Sequence, residues 1–123
     1  ENKEFFENFV SLMRLAYARN LKALKNWAEN INNFKREKIK RFMQYLARMV
    51  RENYIYNMQH HELNYLNVAE EQFSMRFAPF INDGNAERMI TEIEKVERDI
   101  SGNANGKIVL FDFAIKITIL IKR

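Results

Sequence analysis

The sequence predicts an all-α fold, a compact single domain of about five or six helices over residues 1–123, and three observations carry that prediction. Segment after segment spaces its apolar residues by three and four, as amphipathic helices do. The chain holds 3 Gly and 1 Pro, too few for a sandwich that needs many hairpins. Turn-forming residues cluster at Asn30–Asn33, Asn82–Asn85 and Ser101–Gly106, which divides the chain into helix-length pieces. Apolar residues make up 47% and charged residues 29%, the balance of a globular chain with one core.

The first helix is predicted from Phe5, Phe6, Phe9, Leu12, Met13, Ala16 and Tyr17. Asn20 is placed to cap a second, shorter helix whose buried side is Leu21, Leu24, Ala28 and Ile31, with Trp27 adjoining. Asn30, Asn32 and Asn33 end it, because asparagine competes for backbone hydrogen bonds. A long third helix follows from Ile39, Phe42, Met43, Leu46, Met49 and Val50 toward Tyr54. Asn57 to Asn67 reads as a loop or break. Val68, Ala69, Phe73, Arg76, Phe77 and Phe80 predict a fourth helix, which Pro79 should end or kink at Ala78. Ala86, Met89, Ile90, Ile93, Val96 and Ile100 form the stripe of a fifth.

The apolar run from Ile108 to Ile121 alternates as a strand would, yet its length argues otherwise. Strands average about 5–6 residues, and this run is more than twice as long without a breaker. No other segment alternates to pair with it. As a helix it shows one narrow polar line, Asp112 and Lys116 at i,i+4, which are expected to pair. A helix apolar nearly all round is buried by several neighbours, so Phe113 and Ile117 are predicted core residues. Asn103 or Asn105 is expected to cap it. The run is too short and too interrupted to cross a bilayer.

Catalytic chemistry finds little to work with. There is no cysteine, hence no thiolate nucleophile or thiolate metal site, which fits a reducing cytoplasm. His60-His61-Glu62 opens a zinc-protease pattern, but Tyr65 stands where the second histidine is required. No phosphate-binding glycine loop is present. The expectation is therefore no catalytic residue, no metal and no cofactor. The chain starts at Glu1 without a signal-like segment and is expected to be part of something larger.

Lys35 to Arg51 is the strongest charge feature, with seven basic residues against Glu37 alone, in a chain of formal net charge +4. Such a row attracts an acidic partner surface or a phosphate backbone. Phe42 and Tyr45 lie on or beside its apolar stripe and are not interleaved for base stacking, so a partner-facing helix is favoured over direct DNA contact. Lys40, Arg41, Arg48 and Arg51 are the candidate interface residues, the three arginines foremost because arginine pairs bidentately with carboxylates. Helix registry spreads the three arginines over more than one face. Arg51, beside Glu52 and near Tyr54–Tyr56, is expected to serve internal packing instead.

Three stretches carry a family resemblance: Leu12-Met13-Arg14 through Ala28, Arg36-Glu37-Lys38 through Arg51-Glu52-Asn53, and Asn103-Ala104-Asn105-Gly106-Lys107 before the last helix. Together they resemble the C-terminal collar domain of bacterial clamp-loader subunits, the delta-prime family of DNA polymerase III in particular. The gamma/tau subunits share a collar of the same general kind. The resemblance spans essentially the whole chain. It implies an upstream AAA+ module that handles nucleotide, and a collar that packs side by side with those of the other subunits, gamma/tau and delta. The implied role is oligomerisation and scaffolding in DNA replication, in the cytoplasm, without membrane association.

Overall fold

The computed structural model describes residues 1–57 and 66–121, and within them six α-helices and no strand. They are α1 (Asn2–Ala18), α2 (Leu21–Asn32), α3 (Arg36–Asn57), α4 (Val68–Phe77), α5 (Ala86–Ser101) and α6 (Gly106–Leu120). A 3-10 turn, Ala78–Phe80, continues α4 and takes up Pro79. His60, His61 and Glu62 lie outside the described residues.

Short polar signals set the joints. At the end of α1 the chain enters the left-handed region at Arg19 (φ 55°), where the Arg19 N–H donates to Ala16 and the Asn20 N–H to Leu15. That pair of bonds satisfies carbonyls a helix end would otherwise leave open. Asn20 then caps α2 by accepting from the Ala23 N–H at 3.1 Å. The same device closes α5. Asn103 takes the left-handed position (φ 65°), with its N–H on Ile100 O and the Ala104 N–H on Asp99 O. Asparagine tolerates that conformation better than other side chains with a Cβ. Asn105 caps α6 through its side chain and the Ile108 N–H. The two asparagines thus divide the work: Asn103 stops α5 and Asn105 starts α6.

Helix α3 packs along α5, while α6 lies against α2, α5 and α1. The core runs through all of them, with Phe9, Phe42, Phe113, Leu12, Met13 and Met89 completely enclosed. Trp27 is buried as well and donates from Nε1 to the Asn8 carbonyl on α1 at 3.0 Å. Phe113 and Ile117 lie in the core and Asp112 pairs with Lys116 at 3.1 Å. Lys116 also reaches Glu92 on α5, and both carboxylates hold its ammonium above the ordinary lysine value, the Asp112 hydrogen bond most of all.

Three expectations need correction. Leu21 is half exposed, because it is the first residue of α2 and projects beyond the packed turn. Val68 and Ala69 face solvent; the buried side of α4 is Glu70, Ser74 and Phe77, a largely polar face that apolar periodicity cannot register. Helix α6 is also not covered all round. Ile108 and Ile119 are 67% and 73% exposed, with half-buried Ile115 on the same line.

Candidate functional site

The basic helix α3 is the candidate site, and its charges are largely answered from within the chain. Arg36, in its first turn, donates to the Ile100 carbonyl at 3.0 Å and to the Asn103 side chain, tying α3 to the α5–α6 joint. Lys38 pairs with Glu4 at 2.6 Å and lies over the Phe34 ring. Lys40 sits 3.7 Å from Glu37, one turn away. Arg41 grips both carboxylate oxygens of Glu1, each at 2.9 Å. That grip, chiefly its hydrogen bonds, holds the Glu1 carboxyl below and the Arg41 guanidinium above their usual values.

Arg48 is engaged most deeply. It reaches Glu70 Oε2 at 3.0 Å, and Tyr45 donates its hydroxyl to the same oxygen at 2.6 Å. Glu70 itself is buried, and its Oε1 accepts the Asn67 N–H while Asn67 accepts the Glu70 N–H. One carboxylate therefore completes the capping box of α4 and bonds α4 to α3. Burial, then the Glu70 hydrogen bond, push the Tyr45 phenol well above its ordinary value. The guanidinium of Arg48 also lies over the Tyr45 ring at 5.2 Å.

The internal role expected of Arg51 thus falls to Arg48. Arg51 is exposed, at the rim of a cleft of about 430 Å³ between α3 and α5 that also takes in Tyr54, Asp83 and Glu87. Four of the seven cations, Lys38, Lys40, Arg41 and Arg48, pair with carboxylates of the chain, and Arg36 donates to neutral oxygens. Phosphate recognition draws its affinity from unneutralised cations arranged along a face. The partners that quench this row, Glu1, Glu4 and Glu70, come from α4 and from the beginning of the chain, and no local sequence pattern announces them.

The sequence marks Asn85 only as part of the Asn82–Asn85 turn. It is buried, accepts the Asn82 N–H, and donates to the Phe80 and Leu120 carbonyls at 2.9 and 3.0 Å, fixing the α4–α5 turn to the end of α6. Its signal, an asparagine in a turn, is indistinguishable in sequence from Asn82 beside it. Among the described residues no three metal-ligating side chains converge. No helix among them is long and apolar enough to cross a membrane.

Comparison with known proteins returns no matching family model, no matching curated protein and no matching solved structure.

Proposed function

We propose that this chain is an oligomerisation and scaffold domain of a bacterial clamp-loader subunit of the delta-prime kind. In that role it joins the gamma/tau and delta collars in a cytoplasmic complex that loads the sliding clamp during DNA replication, with nucleotide chemistry left to an upstream AAA+ module. The family part of this reading rests on the motifs at residues 12–28, 36–53 and 103–107. The observation that carries the scaffold part is α6. Apart from the Asp112–Lys116 line its sequence suits burial nearly all round, yet this chain leaves Ile108 and Ile119 exposed and Ile115 half-buried on one line. An apolar line on a rigid, well-anchored helix supports lateral packing against another subunit. The carboxylates paired with Lys38, Arg41 and Arg48 leave fewer unneutralised cations on α3 for a phosphate backbone.

The test is a pull-down of the full-length protein against the other clamp-loader subunits, with and without residues 1–123, and with Ile108→Asp plus Ile119→Asp. Deletion and double substitution should both release the complex. An intact complex after deletion refutes the scaffold role. Tight, salt-sensitive binding of short DNA by this domain moves the assignment to a nucleic-acid-binding module.

A further inference from the structure

A groove runs between α1 and the α4–3-10 unit. It consists of two adjoining cavities, about 400 and 830 Å³, that share Arg14, Phe73 and Arg76. Tyr17, Phe77 and Phe80 line the smaller cavity, and Phe6, Val10 and Met75 the larger. The floor is rigid: the Phe73 ring stacks on Phe77 at 5.0 Å and meets Phe6 and Phe9 edge-on at 6.2 and 5.5 Å. Met75 stands 63% exposed at the edge. Such a methionine adapts to whatever apolar group covers it.

Charge indicates what fits. Arg14 and Arg76 are both exposed, come from facing elements, and have no ion pair or hydrogen bond among the described residues. Among the described residues no acidic side chain lines either cavity. Two guanidiniums at the waist of an apolar trough call for a carboxylate between two apolar anchors. Nucleic acid fits less well. The phenylalanine rings are packed against one another and offer few open faces for bases, and two cations do not track a phosphate backbone.

We propose that this groove docks an acidic amphipathic segment of a partner protein, with Asp or Glu held by Arg14 and Arg76 and an apolar side chain in each cavity. This is independent of the clamp-loader reading and of the α6 line. The probe is a fluorescein-labelled peptide of about 14 residues with leucine anchors on either side of a central glutamate pair, a length that covers one such groove. Fluorescence anisotropy is read against the 123-residue chain at physiological salt. Saturable binding is expected, weakened at least about tenfold by Arg14→Glu with Arg76→Glu. The reversed variant should instead accept the peptide with lysines in place of glutamates. Met75→Asp should weaken binding without disturbing the helical circular dichroism or the melting midpoint, which separates docking from fold damage. Absence of saturable binding overturns the proposal, as does binding that survives the double reversal. Tighter binding of labelled oligothymidine through the same two arginines overturns it in favour of nucleic acid.

Discussion

Replacing Glu70 by alanine removes the carboxylate that joins α4 to α3, and its cost can be built from the bonds it makes. The Tyr45 hydroxyl, now buried without its acceptor, costs about 1–3 kcal/mol. The Arg48 side chain is 41% exposed and regains water, so its loss adds no more than about 1 kcal/mol. The broken bond to the Asn67 N–H adds about 0.5–1 kcal/mol. The sum is about 3 kcal/mol, the low end of the range for breaking a buried pair, as the open flank of Arg48 requires. In a domain of this size that lowers the melting midpoint by roughly 10 °C. Glu70→Gln keeps an acceptor for Tyr45 and should cost about 1 kcal/mol. Ser74, one turn along the same buried face, has a hydroxyl with no hydrogen-bond partner among the described residues, so Ser74→Ala should be neutral or slightly stabilising. Thermal and urea melts followed by circular dichroism read all three. A Glu70→Ala midpoint within 2 °C of the parent, or a Ser74→Ala loss as large as that of Glu70→Ala, refutes the reasoning.

Other outcomes follow from the joints, the core and the titrating groups. Asn105→Ala should cost about 1 kcal/mol by uncapping α6, measured by urea denaturation. Asn103→Val should cost about 1–2 kcal/mol, because a β-branched side chain is strained at φ 65°, whereas Asn103→Gly relieves the backbone and loses only the Arg36 contact. Phe113→Ala and Ile117→Ala should each cost about 2–5 kcal/mol in the same assay, and near-zero effects would sink the central-helix reading of α6. Stability should decline in alkali: the raised Tyr45 phenol contributes fully below its unfolded value near 10 and progressively less as pH climbs past it toward the folded value. Tyr45→Phe should make that decline shallower when midpoints at about pH 8 and 11 are compared, and an unchanged slope would contradict it.

The sequence by itself determined what depends on neighbours along the chain. Helical spacing placed α1, α3 and α5, and the asparagine-rich joints placed the breaks, because capping and turn formation act over three or four residues. The length of the final apolar run was enough to distinguish helix from strand, and Asp112 met Lys116 because i,i+4 partners share a helix face wherever that helix packs. Tertiary structure alone decided which cations are quenched. Arg41 meets Glu1 across 40 positions and Arg48 meets Glu70 across 22, and such encounters are set by how helices are laid side by side. The same holds for α4, whose inward face is Glu70 and Ser74: a polar residue is buried only if a distant partner satisfies it, as Tyr45 and Arg48 do for Glu70. It holds also for α6. A helix apolar on all but the Asp112–Lys116 line states that burial is favourable on nearly every side, but the number of helices a single chain can bring to it leaves Ile108 and Ile119 open and Ile115 half-buried, and hydrophobic burial of that line then requires a second surface.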